Sequence, residues 1–386
     1  MRYVRVVGGA LALAVAAGVA ASPRATAATE RPGLRQVLQR LTGEDGAPGA
    51  FAEVEDRTGR AVLTSGVGDL KTGAPIPGDG RFRIGSMTKP YVATVVLQLV
   101  GEHRVALDAP IERYLPGLVR GNGNDGREIT VREMLQHTSG LPDYLIYLSF
   151  PDLIAHPYAH YDRSALLSLA LGHPALFRPG KGWSYSNTDY LLAGLLIEKV
   201  TGHPYGEEIR RRILTPLGLR ATSVPGDRTT IPGPHARGYV RPDNGTPVVE
   251  MTEFNPSVAA GSGDMISSGA DMSRFFDALL HGRLLRPAQL REMMTTRATG
   301  GADGRAYGLG LESRSLPCGG VYWGHGGDIF GFETLGGATV DGRRATVMVN
   351  LDPGGTDAQD ADATAAIGAA LCDGPAGYSA SSTGRF

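Results

Sequence analysis

Ser86 and Lys89, three positions apart, are the first residues whose types and spacing could support catalysis. A serine hydroxyl becomes a good nucleophile only when a neighbouring base takes its proton. Residues three apart share one face of a helix, so the lysine amine would return toward the serine oxygen. The amine can act as the base only if its surroundings lower its pKa from the usual value of about 10.4.

This spacing alone is a weak signal, because it occurs by chance in many chains. The alternative is that Ser86 caps the helix and Lys89 lies on the surface. Two observations favour catalysis: the chain has only four lysines, and Lys89 lies in an apolar segment. Its apolar neighbours are Ile84, Met87, Tyr91 and Val92.

A second pair, Tyr185 and Asn187, lies just before a helix predicted for residues 190–201. In an extended segment, residues two apart point the same way, so a phenol and a carboxamide would face one cleft. The phenol can relay a proton, and the amide can bind a substrate carbonyl group. The alternative is that Asn187 or Thr188 simply caps the helix.

The third group, His325, Gly326 and Gly327, follows a strand predicted for residues 321–324. Glycine lets a ligand approach the backbone of a strand closely. A backbone N–H at such an edge could also stabilise an oxyanion. The alternative is a turn with an exposed histidine.

The elements that must position these groups follow a simple order, with strands at both ends of the chain and helices between them. This order predicts an α+β fold, in which an antiparallel sheet flanked by the N- and C-terminal helices joins a mainly helical second lobe. We predict a sheet lobe of residues 28–95 and 302–373 and a helical lobe of 96–301, with a ligand cleft between them. The periodicity predicts helices at 30–42, 86–102, 190–201, 272–280, 287–295 and 357–371, and strands at 49–55, 61–68, 307–311, 321–324, 331–335 and 345–351.

Composition and the chain ends predict location and partners. The net charge of −1 disfavours nucleic-acid binding. Residues 1–27 have a basic start, an apolar run and a small-residue cleavage site. This pattern predicts a signal peptide and a secreted protein without a stable membrane anchor. The alternative is that the segment stays uncleaved as a membrane anchor. Cys318 and Cys372 favour one disulfide in an exported protein, the alternative being two unrelated thiols. We expect a monomer with a flexible tail at 374–386.

Together and in this order, the three groups resemble the penicillin-recognising serine hydrolases, which include class C β-lactamases, secreted D-alanyl-D-alanine carboxypeptidases and related esterases. The segments 82–89, 137–141 and 307–311 are also similar to that family, and the resemblance runs from about residue 33 to Cys372. It implies that Ser86 is acylated and that Lys89 and Tyr185 move its proton. It further implies substrate contacts from Asn187, Glu312, His325, Gly326, Gly327 and Asp328, an oxyanion hole from the N–H groups of Ser86 and Asp328, and a Cys318–Cys372 disulfide.

By this resemblance the ligands are small peptides or D-amino-acid compounds, β-lactams among them, and no metal or organic cofactor is needed. The first expectation is a D-alanyl-D-alanine carboxypeptidase. The alternatives are an esterase, a D-amino-acid amidase or aminopeptidase, a β-lactamase, and a non-catalytic binder.

The chain departs from the carboxypeptidases at three positions. Gly326 and Asp328 replace hydroxyl residues, and Glu312 stands where the family places an arginine for the substrate carboxylate. Arg314, two residues on, would face the same side of a strand and could replace that arginine. Without it, the carboxylates would suit a neutral or amine-bearing substrate better. We interpret His137 as a structural helix end that lines the cleft.

Overall fold

The computed structural model of the protein describes residues 31–242, 246–301 and 304–373. The predicted signal peptide and the predicted flexible tail lie outside these residues. Within the described part of the chain, no helix is long and apolar enough to cross a membrane.

An eight-stranded antiparallel sheet joins the two ends of the chain, as predicted. The two ends meet where the first strand pairs with the last, for example Phe51 opposite Met348. The strands are β1 (Gly49–Asp56), β2 (Gly59–Gly66), β3 (Arg297–Ala298), β4 (Ala306–Tyr307), β5 (Glu312–Ser315), β6 (Val321–Ile329), β7 (Phe332–Ala338) and β8 (Arg344–Val349). They lie in the order β2-β1-β8-β7-β6-β5-β4-β3. Short two-residue strands pair as Phe82–Arg83 with Ile266–Ser267, Arg120–Gly121 with Asn124–Asp125, and Tyr239–Val240 with Val249–Glu250.

Most of the described helices lie between the strands of the two ends. The α-helices are α1 (Pro32–Gly43), α2 (Thr88–Gly101), α3 (Val131–Leu135), α4 (Phe150–Ala155), α5 (Arg163–Leu171), α6 (Asn187–Thr201), α7 (Tyr205–Ile209), α8 (Thr215–Leu217), α9 (Gly269–Leu280), α10 (Pro287–Met294) and α11 (Asp357–Cys372). Single 3₁₀ turns lie at Gly85–Met87, Ile111–Arg113, Tyr144–Tyr147 and Pro256–Ala259, and a π turn at Arg210–Leu214.

The alternation of side chains along the strands gives the sheet two apolar faces. Ala50 and Val347 belong to the core under α1 and α11, whereas Phe51 and Met348 belong to the larger core that includes α2 and α9. This confirms the predicted α+β architecture. The predicted boundaries of the two lobes stay a prediction.

The strand predicted for 307–311 is wrong in its extent, because the chain turns after Tyr307 and β5 begins at Glu312. Gly310 has φ +74°, and a Cβ there would lie 2.5 Å from the Tyr190 hydroxyl. The glycines of this segment therefore make a tight turn against α2 and α6 rather than a strand.

Cys318 and Cys372 are paired, with Cα atoms 5.7 Å apart, as the resemblance implies. The pair ties the loop between β5 and β6 to the end of α11. The cross-link lies away from the residues predicted for chemistry.

Candidate active site

Ser86 lies in the one-turn 3₁₀ segment that leads into α2, with its side chain partly exposed. Lys89 is fully buried in the first turn of α2, and its Nζ donates a hydrogen bond to Ser86 Oγ at 2.8 Å. Gly85 permits the sharp entry, since it has φ +48° and a Cβ would lie 2.8 Å from the backbone of Asp328. The alternative of a capping serine and a surface lysine is therefore wrong.

The Lys89 amine has three acceptors within hydrogen-bonding distance. It donates to Ser86 Oγ, to Asn187 Oδ1 at 2.8 Å and to the Ser262 carbonyl at 2.9 Å. Burial lowers its pKa to about 7, although the negative charges of Asp143 and other carboxylates oppose that shift. A large fraction of the amine is consequently neutral near pH 7.

Tyr185 and Asn187 face the same site, because the backbone of Ser186 between them is extended (φ −147°, ψ 121°). Tyr185 shares a hydrogen bond with Ser86, and its ring centre lies 4.6 Å from Lys89 Nζ. Burial raises the pKa of Tyr185 well above its usual value, so the phenol stays neutral. Asn187 begins α6, three residues before the predicted start, and its Nδ2 donates to Asp143 Oδ2 at 2.9 Å. Because this bond and the one from Lys89 engage both ends of its carboxamide, the alternative that Asn187 caps the helix is wrong.

We call Ser86, Lys89, Tyr185 and Asn187 the floor of the site. Ser86 and Lys89 lie at the N-terminus of α2 and in the turn that leads into it. Tyr185 and Asn187 lie at the N-terminus of α6 and in the segment that leads into it. The floor therefore depends on how two buried helices pack together.

Strand β6 passes beside the floor and contains residues 325–328, which the sequence analysis placed after a strand. The pairing of β5 with β6 ends at Gly324, which leaves this edge of residues 325–328 facing the cleft. A Cβ on Gly327 would lie 2.1 Å from the Ile84 carbonyl oxygen, so glycine is required for the strand to approach the Ser86 turn. The backbone of Asp328 consequently lies beside the turn that holds Ser86, since a Cβ on Gly85 would lie 2.8 Å from the Asp328 nitrogen.

His325 and Glu312 lie side by side on β6 and β5 and are both buried. Although burial raises the pKa of Glu312, His325, Arg314 and Arg305 outweigh that effect and hold the pKa below its usual value. Arg314 Nη2 lies 2.9 Å from Glu312 Oε2, and Arg305 Nη1 lies 3.4 Å from Oε1. The two guanidinium groups are therefore paired with one carboxylate in the wall of the cleft.

The cleft above the floor has a volume of about 820 Å³, which is in the range of small-molecule sites. One side is apolar and comes from the 3₁₀ turn at Tyr144–Tyr147, from α4 and from the end of β6. Its residues are Leu145, Leu148, Phe150, Leu153, Ile329 and Phe330.

Another side carries four carboxyl groups, Asp328, Glu333, Asp352 and Asp360, which we call the acidic wall. Burial raises the pKa of Glu333 to about 8, and its negatively charged neighbours contribute to the shift. Burial and the neighbouring carboxylates also raise the pKa of Asp352 well above its usual value. Ionising all of these carboxyl groups at once would therefore crowd negative charges together in the wall.

Sequence reasoning missed several of these residues. Asp143 lies two residues after the segment 137–141, so proximity to a motif could have suggested it. Asp352 and Asp360 gave no usable signal, because only the return of α11 along the sheet brings them to the cleft. The prediction that His137 lines the cleft is wrong: it is fully buried, with its ring centre 4.4 Å from that of Tyr185.

Comparisons with known proteins agree over most of the chain. The Beta-lactamase family profile matches residues 34–370. Penicillin-binding protein 4* of Bacillus subtilis (strain 168) is 26% identical over 300 residues, which are 74% of this chain and 64% of the relative, just under two thirds of its length. Esterase EstB of Burkholderia gladioli is 31% identical over 281 residues, 68% of this chain and 69% of the relative.

A solved structure is also similar along nearly its whole length. The D-stereospecific amidohydrolase from Streptomyces sp. is 41% identical, with a TM-score of 0.82, and the match covers 89% of this chain and 99% of that chain. The family match over residues 34–370 spans the floor, β6 and the cleft walls.

Proposed function

Because the chain belongs to the beta-lactamase family of serine hydrolases, we propose that it hydrolyses amides and esters of D-amino acids that carry a free amino group. The acidic wall is the observation that carries this proposal. The relative whose name describes a D-stereospecific amidohydrolase supports the choice of stereochemistry and bond.

In the proposed reaction, Ser86 Oγ attacks the substrate carbonyl carbon. The neutral Lys89 amine accepts the hydroxyl proton, since it lies 2.8 Å from that oxygen and its pKa is about 7. Tyr185 remains a neutral hydrogen-bond donor, because its phenolate is strongly disfavoured. The lysine and the tyrosine are thus not equivalent bases in this site.

The backbone N–H groups of Ser86 and Asp328 would bind the developing oxyanion. Lys89 then returns its proton to the leaving nitrogen or oxygen through Tyr185, and the carbonyl–leaving group bond breaks. A water molecule attacks the acyl-enzyme with the same amine as base, which releases the acid and restores Ser86.

The charge of the cleft supports a cationic acyl group. Four carboxyl groups of the acidic wall crowd together there, and the pKa of Glu333 is already raised to about 8. A substrate ammonium group would relieve this repulsion, whereas a substrate carboxylate would add to it. The apolar side of the cleft would take the side chain of the D-amino acid.

Carboxypeptidase activity on D-alanyl-D-alanine peptides is the second candidate, and Arg314 favours it. Its guanidinium group lines the cleft and could bind a terminal carboxylate. The ion pair with Glu312 weighs against this role, because a substrate carboxylate would have to compete with it.

The test is a panel of D-phenylalanine amide, its L enantiomer, its N-acetyl derivative and a peptide ending in D-alanyl-D-alanine, with Ser86→Ala as the blank. We expect fast turnover of the free D-amide and at least a tenfold loss on N-acetylation or inversion. Release of D-alanine from the peptide without turnover of the amide would reject the proposal in favour of the carboxypeptidase.

A further inference from the structure

A row of four buried polar side chains runs beneath Tyr185. Asp189 Oδ2 lies 3.0 Å from His137 Nδ1, His137 Nε2 lies 3.2 Å from the Tyr307 hydroxyl, and that hydroxyl lies 2.9 Å from His325 Nε2. All four side chains are at least 96% buried. Because water does not reach them, each polar atom must find its partner within the protein.

Backbone groups at the two ends determine where the protons lie. The Ser186 N–H can only donate, and it points at His137 Nδ1 at 3.3 Å, so this nitrogen presents a lone pair. The Gly326 carbonyl can only accept, and it lies within hydrogen-bonding distance of His325 Nδ1, so this nitrogen carries a hydrogen. The two imidazoles are thus opposite tautomers.

The middle of the row agrees with this assignment. A neutral His137 carries its hydrogen on Nε2 and donates to the Tyr307 oxygen. Tyr307 in turn donates to the bare Nε2 of His325, which is neutral because burial lowers its pKa to about 4. All the hydrogen bonds from His137 to the Gly326 carbonyl then run in one direction.

The remaining contact is between Asp189 Oδ2 and the lone pair of His137 Nδ1, and two acceptors cannot bond. We propose that Asp189 is a protonated positioning residue, whose carboxyl O–H donates to His137 and begins a one-way hydrogen-bond chain that ends at the Gly326 carbonyl. This assignment rests on the proposed function only for its catalytic consequence, not for its proton positions.

The charged surroundings of Asp189 agree with a neutral carboxyl. Burial and the nearby charge of Asp143 raise its pKa well above the usual value, and a hydrogen bond from Ser139 and the cation Lys89 oppose that shift only in part. An ionised Asp189 would also raise the pKa of Lys89 and so leave less of the amine neutral near pH 7. A neutral Asp189 therefore suits the proposed chemistry.

The hydrogen-bond chain positions two groups of the proposed active site, Tyr185 and His325. The ring of His137 supports Tyr185 from below, and His325 stands on the strand that borders the cleft. His137 adopts φ +60°, an unfavourable conformation for a residue with a side chain, which the surrounding structure must enforce. The one-way hydrogen-bond chain thereby fixes the orientation of the His137 and His325 rings.

The direct test is ¹⁵N NMR of histidine-labelled protein between pH 6 and 8, with His137 and His325 assigned by single substitution to glutamine. We expect the Nε2–H tautomer at His137 and the Nδ1–H tautomer at His325, both unchanged with pH. A His137 signal of the Nδ1–H or imidazolium form would overturn the proposal. This measurement uses no substrate, so its result does not depend on whether the proposed activity is found.

The matched variants are Asp189→Asn and Asp189→Leu. The carboxamide can donate to His137 Nδ1 as a protonated carboxyl does, so D189N should keep both tautomers and lose no more than about threefold in kcat/KM. The leucine side chain cannot donate, and D189L should lose about 10- to 100-fold. A D189N loss as large as that of D189L would contradict the proposal and indicate an ionised aspartate, as in Ser-His-Asp triads.

Discussion

The floor and the acidic wall are two regions of one cleft in which burial shifts pKa values in opposite directions. In the floor, burial makes a lysine lose its proton and its pKa falls to about 7. In the wall, burial and crowding make a carboxyl group keep its proton and the pKa of Glu333 rises to about 8. The first shift supplies a base for the reaction, and the second creates a place that a cation would stabilise.

The largest expected effect is in the floor. Replacing Lys89 by methionine keeps the apolar stem but removes the amine that contacts Ser86 Oγ. We expect kcat/KM to fall by about 10³-fold, the order expected for loss of a general base. Lys199→Met, on the partly exposed last turn of α6, is the matched control and should stay within twofold.

The pH dependence of the floor gives the next largest effect. Since the pKa of Lys89 is lowered to about 7, the amine is neutral above that pH and protonated below it. The value of kcat/KM should therefore rise about tenfold per pH unit up to pH 7 and level off above it. A profile that first rises above pH 9 would show that Lys89 keeps an ordinary pKa and is not the base.

The wall should alter binding rather than chemistry. Glu333→Gln removes a carboxyl group that a bound ammonium group would ionise while keeping the shape of the side chain, and we expect KM for D-phenylalanine amide to rise about fivefold at unchanged kcat. The N-acetylated substrate should show no such change. Glu128→Gln, an exposed carboxylate outside the cleft, is the control. An equal effect on both substrates would remove the distinction between floor and wall.

The smallest expected effect is on the apolar side of the cleft. Phe150 stacks on Phe330 with ring centres 5.7 Å apart. Phe150→Leu should reduce kcat/KM for D-phenylalanine amide by about threefold relative to D-alanine amide, because it removes part of the contact to a large side chain. A uniform loss for both amides would mean that this side does not select the side chain.

The contrast between the floor and the wall also explains which parts of the fold and the site could be predicted from the sequence. Ser86 and Lys89 are separated by one helical turn, and Tyr185 and Asn187 by one extended residue, so local geometry predicts how each pair points. The strands β1 and β2 were predictable because turn residues separate two strand-like runs. The glycine-rich segment 308–311 was not, because its shape depends on the space left by Ala93 and Tyr190.

The acidic wall could not be predicted for a different reason. Asp328 and Glu333 lie on neighbouring strands, whereas Asp352 and Asp360 follow β8 and meet them only through the packing of α11. The row beneath Tyr185 likewise joins residues 137, 189, 307 and 325. Such groups carry no spacing signal, since tertiary packing alone brings them together.

Intact-protein mass spectrometry after brief exposure to a D-phenylalanine ester or a fluorophosphonate tests the central claim most directly. We expect one covalent adduct, mapped to the peptide that contains Ser86, in the wild type and in the control Ser315→Ala. Ser86→Ala should show none. An adduct that persists in Ser86→Ala, or a wild type that is never labelled while it binds the ester, would contradict a nucleophilic serine at this site.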